Sequence, residues 1–205
     1  MEGIARALRT HLGIAKPKAP ILSGKSGLRV TVDGRLGPIR PFIATSIVRN
    51  VKPSENALKS WISLQEKMDL TYGRKRKRAS IGFYQADLIK SPLRYTVGNP
   101  DNTAFVPLGS PEKMTLREIA EKHPKGIEYG GIISSFKEWP LLTDGEGKVL
   151  SLPPIINSND LGKVSTETKN ILVEVTGTNA ITVGNTLKIV VAALAERGGD
   201  RKSVV

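Results

Sequence analysis

Apolar residues recur every three to four positions at both ends of the chain, and every second position in several stretches between. Met1 to Gly13 sets Ile4, Ala5, Leu8 and Leu12 on one side, which predicts an N-terminal helix over 1–13. Residues 14–26 follow as a linker, because Lys16 to Lys25 holds two prolines, a glycine and three lysines. Leu28 to Val32 and Phe42 to Val48 alternate like strands on either side of a Gly37-Pro38 break. From Pro53, Ala57, Leu58, Trp61, Ile62, Leu64 and Met68 keep a helical period behind Ser54, a suitable cap, and the period ends at Tyr72-Gly73. Ser80 to Tyr84 reads as the next strand.

Thr115 and Glu118 have the spacing of a capping box, so a short helix is expected through Ala120, stopped by Pro124 and Gly126. Leu141-Leu142 and Val149 to Leu152 flank Asp144-Gly145-Glu146-Gly147, the pattern of a hairpin. Asn170 to Thr176 is a strand in which Leu172, Glu174 and Thr176 share one face and Ile171, Val173 and Val175 the other. Thr182 to Arg197 is an apolar helix closed by Gly198 and Gly199. Strands and helices in mixed runs, without βαβ alternation, indicate an α+β fold. No repeat of fixed period is present.

Charge adds a partner to this picture. Thirty-one basic against nineteen acidic side chains give a net charge of +12, which favours a polyanion such as nucleic acid. Aromatic residues are only 5%, which argues against a stacking platform for single strands. The 205 residues suffice for one large domain or two small ones with a proper core. No window approaches the ~18 uninterrupted apolar residues of a membrane span, and the first residues lack a signal layout. A cytoplasmic protein without a membrane partner is expected. Cysteine is absent, so disulfides, zinc–cysteine sites and thiol catalysis are excluded.

Three segments carry a family resemblance. One is Leu64-Gln65-Glu66-Lys67-Met68 with Tyr72-Gly73-Arg74-Lys75-Arg76 and Ile81-Gly82. Another runs from Pro140-Leu141-Leu142 through Asp144 and Gly147 to Val149-Leu150-Ser151-Leu152-Pro153-Pro154-Ile155-Ile156-Asn157-Ser158. The last is Thr166 to Asn170 with Glu174-Val175-Thr176-Gly177-Thr178. Together they resemble the beta subunit of archaeal and eukaryotic phenylalanyl-tRNA synthetase, in the domain that hydrolyses mischarged tRNA. The likeness spans essentially the whole chain. It implies a single editing domain over 1–205, folded as a three-layer arrangement of two mostly antiparallel sheets and helices. An excised fragment of a larger subunit is expected ahead of a free-standing relative.

The resemblance also places an editing site on Leu142, Ser151, Glu174 and Thr176, with Ser151 and Thr176 as catalytic candidates and Leu142 and Glu174 as substrate-binding ones. The third position is Asp or Glu among family members. Read from the strand alone, a Glu and a Thr on an alternate face are ordinary solvated positions; the resemblance reverses that reading. The implied substrate is phenylalanine tRNA mischarged with tyrosine, an activated ester that a positioned water can hydrolyse. With only His11 and His123 present, a Ser-His-Asp arrangement is not expected. No grouping of His and carboxylates has metal-ligand spacing, so no metal and no cofactor are expected in this chain. The resemblance places ATP and magnesium elsewhere in the full synthetase, whose other implied components are the rest of the beta subunit and the alpha subunit.

The run Arg74-Lys75-Arg76-Lys77-Arg78 suits phosphate contact through counterion release, with a solvated turn as the plainer reading. A Gly-rich phosphate loop is absent. Two other functions stay open: a non-catalytic tRNA-positioning module, and a basic RNA-binding protein like a ribosomal component. The apolar C-terminal helix, with Ile189, Val190, Val191 and Leu194, suggests a larger core than the latter needs.

Overall fold

A computed structural model describes residues 2–16 and 26–197. Residues 17–25 of the expected linker and the Gly198-Gly199 closure lie outside the described residues. In chain order the first elements are α1 (Glu2–His11), β1 (Val30–Val32), β2 (Phe42–Val48), α2 (Glu55–Leu70), β3 (Ala79–Gln85) and β4 (Leu93–Gly98). There follow β5 (Ala104–Phe105), β6 (Met114–Thr115), α3 (Leu116–Lys122), α4 (Pro124–Tyr129), β7 (Trp139–Thr143), β8 (Val149–Leu152), β9 (Ile156–Asn157), β10 (Ile171–Gly177) and α5 (Ala180–Arg197).

The smaller main sheet has the order β2-β10-β3, with both pairings antiparallel. The larger sheet has the order β1-β4-β7-β8-β9, antiparallel except where β1 meets β4. Burial follows from the period of two along β10. Ile171, Val173 and Val175 face α2 and α5, where they join Trp61, Val183, Val190 and Leu194 in an apolar core. Leu172 faces the other way, into a core with Leu93, Tyr95, Leu142 and Leu150 of the larger sheet. A separate core forms where Leu141 and Leu152 meet Leu116 and Ile119 of α3. The fold is therefore α+β, with two mostly antiparallel sheets stacked face to face and helices outside them.

Local signals locate several boundaries. Ser54 accepts a hydrogen bond from the Ala57 amide at the start of α2, and Thr115 and Glu118 close the expected capping box at α3. Pro124 does more than stop α3. It occupies the first turn of α4, where its missing N–H costs nothing, and His123 caps that turn by accepting from the Lys125 amide. Gly126 sits inside α4 because a Cβ there would lie 1.7 Å from the Ile119 carbonyl oxygen. The hairpin turn is held by Asp144, whose Oδ1 accepts from the amides of Glu146 and Lys148.

Helix α1 forms as its period predicts, but its apolar side is not covered: Ile4, Leu8 and Leu12 are exposed. Its Arg6 pairs with Glu196 of α5 at 2.7 Å. No helix among the described residues is long and apolar enough to cross a membrane.

Candidate active site

The second face of β10 carries Glu174 and Thr176 beside Leu172. That face is closed over by the larger sheet, so both polar residues are buried, Glu174 at 3% exposure and Thr176 at 0%. A buried carboxylate needs partners or it becomes protonated. β3 supplies the main partner: the Tyr84 hydroxyl lies 2.8 Å from Glu174 Oε2, 3.0 Å from Ser151 Oγ and 3.2 Å from Asn157 Oδ1. Tyr84 can donate its single proton to only one of these at a time, and the carboxylate is both the nearest and, when ionised, the strongest acceptor. Asn157 is oriented by donating its Nδ2 to the Phe83 carbonyl.

Gly82 makes this convergence sterically possible. It stands opposite Glu174 in the β3–β10 register, and a Cβ there would lie 2.4 Å from the Tyr84 hydroxyl oxygen and 2.6 Å from Glu174 Oε2. The other carboxylate oxygen, Oε1, is buried and has no hydrogen-bond partner among the described residues. Burial pushes the Glu174 carboxyl up to about 7, opposed by the Tyr84 hydrogen bond, by the Arg40 charge and by the Thr176 hydroxyl. Tyr84 is raised well above the ordinary phenol value by burial and by Glu174, and so remains a donor.

Next to this cluster, Arg40 fixes the strand ends. It is almost fully buried (1% exposed). It donates Nε to Thr176 Oγ1 at 3.0 Å, Nη2 to Ser80 Oγ at 2.9 Å and to the Thr176 carbonyl at 2.6 Å, and Nη1 to the Arg76 carbonyl at 3.0 Å. Its own carbonyl accepts from the Tyr95 hydroxyl. A guanidinium can stay charged in such a place because its fork of donors is used almost completely.

A cavity of about 230 Å³ opens against Ser151, Asn157 and Glu174. The Leu152–Ile156 segment walls one side of it, and Arg76 and Lys125 add cations to its lining. The volume is below the range of drug-sized pockets, which matches one amino-acid-sized group.

Of the residues expected from the sequence, Ser151 and Glu174 line this cavity, bridged by Tyr84. Leu142 lies directly across β7–β8 from Ser151 and is fully buried in the inter-sheet core. Thr176 is engaged by Arg40. Neither Leu142 nor Thr176 lines the cavity.

The basic run divides in two. Arg74, Lys75, Lys77 and Arg78 are exposed, whereas Arg76 turns inward. Its Nε approaches Asp69 Oδ2 at 3.0 Å, though the N–H is not aimed at that oxygen. Nη1 donates to the carbonyls of Pro154 and Ile155 at 3.0 and 2.9 Å, and the guanidinium stacks 4.2 Å from the Tyr129 ring. Asp69 is pushed up to about 7 by burial, with Arg76 opposing. The backbone here is strained, because Arg74, Lys75 and Arg76 all have positive φ (51°, 52° and 65°), at about 1–2 kcal/mol each for residues with a Cβ. The conformation is held by hydrogen bonds from the Lys75 amide to the Leu70 carbonyl and from the Arg76 amide to the Asp69 carbonyl, and by Arg40 on the Arg76 carbonyl. A solvated turn therefore describes four of the five cations; Arg76 joins this loop to the Pro153–Ile155 wall of the cavity.

Sequence reasoning missed Tyr84, Asn157, Arg40 and Asp69 as members of the site. Tyr84 and Asn157 do stand within segments singled out by pattern or resemblance, and the alternation of β3 places Tyr84 on the same face as Gly82. Arg40 and Asp69 have no local signal, since their partners are far along the chain.

No protein-family model matches the chain. It is 48% identical over 203 residues to the phenylalanine–tRNA ligase beta subunit of Thermococcus kodakarensis, covering 99% of this chain and 35% of that one. The beta subunit of Thermococcus gammatolerans is 49% identical over 203 residues, covering 99% and 36%. That of Methanosphaera stadtmanae is 39% identical over 204 residues, covering 100% and 36%. The chain thus spans about a third of the length of these curated relatives. Among solved structures, an N-terminal fragment of the phenylalanyl-tRNA synthetase beta subunit from Pyrococcus horikoshii superposes with a TM-score of 0.93 at 46% identity, over 97% of this chain and 57% of that one.

Proposed function

This chain belongs to the phenylalanine–tRNA ligase beta-subunit family, and from that premise we propose that it is the editing module, hydrolysing tyrosine wrongly esterified to phenylalanine tRNA. The observation that carries the reading is Glu174. It is a buried carboxylate at the wall of an amino-acid-sized cavity, with one oxygen against a phenol and the other unpartnered among the described residues.

Phenylalanine and tyrosine differ by one hydroxyl. An apolar pocket that merely tolerates the group discriminates by about a hundredfold, whereas a site that must hydrogen-bond it can reach about 10⁴–10⁵. Glu174 Oε1 is the acceptor for the substrate hydroxyl. A phenylalanyl group would leave that oxygen buried and unpaired. Water adds to the ester carbonyl, and the tRNA 3′ oxygen leaves with a proton, giving free tyrosine and uncharged tRNA. Ser151, at the same cavity, positions the water or the carbonyl. Leu142 and Thr176 support the site from behind, by packing and through Arg40. The exposed cations Arg74, Lys75, Lys77 and Arg78 contact tRNA phosphate. The rest of the beta subunit and an alpha subunit are the partners, and aminoacylation with ATP and magnesium takes place there.

The test is deacylation of Tyr- and Phe-charged phenylalanine tRNA by the chain. Hydrolysis of the tyrosyl ester with the phenylalanyl ester spared is expected. Tight tRNA binding with no hydrolysis of either ester would instead assign a positioning module.

A further inference from the structure

We propose that Tyr84 is the positioning residue that sets specificity at this site: by occupying Oε2 of Glu174, it leaves Oε1 as the carboxylate oxygen still without a partner, to accept from an incoming phenol. The inference rests on the editing reading above and adds to it the source of the carboxylate's fixed orientation.

Tyr84 is fully buried on β3, and its ring is locked in the inter-sheet core with Leu93, Tyr95 and Leu142. Its hydroxyl is therefore a fixed point, and the 2.8 Å contact fixes Oε2 with it. The Ser151 hydroxyl, 3.0 Å away, can donate back to the Tyr84 oxygen, so the residue that aims the carboxylate also holds a second polar group of the cavity. A carboxylate with both oxygens free would rotate and accept from water or from the nearby hydroxyls, and would read no particular group. With one oxygen capped by an internal phenol, the geometry that remains suits a second phenol, whereas a phenyl ring would leave Oε1 unpaired. Gly82 is part of the same device, since any side chain there would push the hydroxyl and Oε2 apart.

The charges and titratable groups around Glu174 come from every packed element: Arg40 ahead of β2, Tyr95 on β4, Asp69 and Glu66 on α2, Arg76 in the strained loop and Lys125 on α4. The hydrogen bond to the carboxylate comes from nearer at hand, from the Tyr84 hydroxyl 2.8 Å from Oε2; the Thr176 hydroxyl favours the ionised form without making a hydrogen bond to Oε1.

The experiment measures kcat/KM on Tyr- and Phe-charged phenylalanine tRNA from about pH 6 to 8.5, either side of the carboxyl's titration, for wild type, Tyr84→Phe and Gly82→Ala. Tyr84→Phe is expected to lower the Tyr-over-Phe ratio about tenfold or more, mainly through KM for the tyrosyl ester. It also moves the midpoint of the ratio's pH dependence upward, because a hydrogen bond that stabilises the ionised carboxylate is gone. Gly82→Ala, which keeps the hydroxyl but displaces it, is expected to lower the ratio as well, and it decides the matter if a thermal melt shows Tyr84→Phe unfolded. Equal slowing of both esters with an unmoved midpoint would make Tyr84 merely structural and overturn the proposal. A wild-type ratio retained in either folded variant would overturn it too while leaving the editing reading intact. A wild type inactive on both esters would remove the editing reading and this inference with it.

Discussion

The two faces of β10 alternate along one run of seven residues and have opposite characters. On one, Ile171, Val173 and Val175 pack against α2 and α5 in an apolar core. On the other, Leu172, Glu174 and Thr176 are buried just as deeply, yet around them stand Arg40, Tyr84, Ser151 and Asn157. The helix-side face contributes stability by removing apolar surface from water. On the inter-sheet face Leu172 contributes in the same way, but each buried polar atom beside it must be matched or remain a penalty. A strand that carries such a penalty where an aliphatic residue would fit marks the place where chemistry takes precedence over packing.

Breaking the polar side should have the largest effect. Arg76→Ala removes one partner of a buried ion pair, two hydrogen bonds to the Pro153–Ile155 wall and a stacked aromatic neighbour. It is expected to destabilise by about 3–5 kcal/mol, read by chemical denaturation.

On the apolar side, Leu194→Ala opens a cavity under β10 and is expected to destabilise by about 2–5 kcal/mol. The Tyr-over-Phe ratio of the folded variant should not change, because Leu194 belongs to the helix-side core. A changed ratio would mean that the two faces are coupled through the strand, contrary to their separation in the structure.

The smallest effect on stability is expected from the exposed part of the basic run. Alanine at Arg74 and Lys77 should leave stability within about 0.5 kcal/mol, yet reduce the log–log salt slope of tRNA binding by about 0.7–0.9 for each phosphate that is no longer neutralised. If Arg76→Ala behaved like these neighbours, the loop would be a surface feature only.

How much of this is legible in the sequence follows the range of each interaction. The bounds of β2, the capping box of α3, the hairpin and the two faces of β10 all depend on spacings within a few residues, and they appear in the sequence as such. β4 escapes notice although Leu93, Tyr95 and Val97 alternate, since it follows a stretch rich in turn residues; β5, β6 and β9 are two residues each, too short for any period to register. Pro124 reads as a stop because a proline ends one helix and begins another equally well, and only His123 capping the next turn decides between them. The burial of Arg76 has no sequence signal, because a run of five cations looks solvated and two of its acceptors lie 78 and 79 residues away. Glu174 and Ser151 are legible through the family resemblance, and Tyr84 is joined to them by hydrogen bonds across 90 and 67 residues.

The central claim is that Glu174 reads the tyrosine hydroxyl as a buried carboxylate. Its pKa is raised by burial to about 7, above the unfolded value, so the folded chain holds the proton more tightly. This group's contribution to stability is accordingly greatest below the unfolded pKa and is lost as pH rises through about 7. The loss is roughly 3 kcal/mol, since each tenfold change in proton affinity corresponds to about 1.4 kcal/mol. Above that point the group is anionic and is the stronger acceptor. The most direct measurement is the kcat/KM ratio for Tyr- over Phe-charged phenylalanine tRNA, followed from about pH 6 to 8.5 in wild type and Glu174→Gln. The account predicts a wild-type ratio that climbs about tenfold through pH 7 as the charge-assisted bond replaces a neutral one, and a lower, pH-independent ratio in Glu174→Gln. A flat wild-type ratio, or a Glu174→Gln variant that slows both esters equally, would contradict it and move the reading of the hydroxyl to another group.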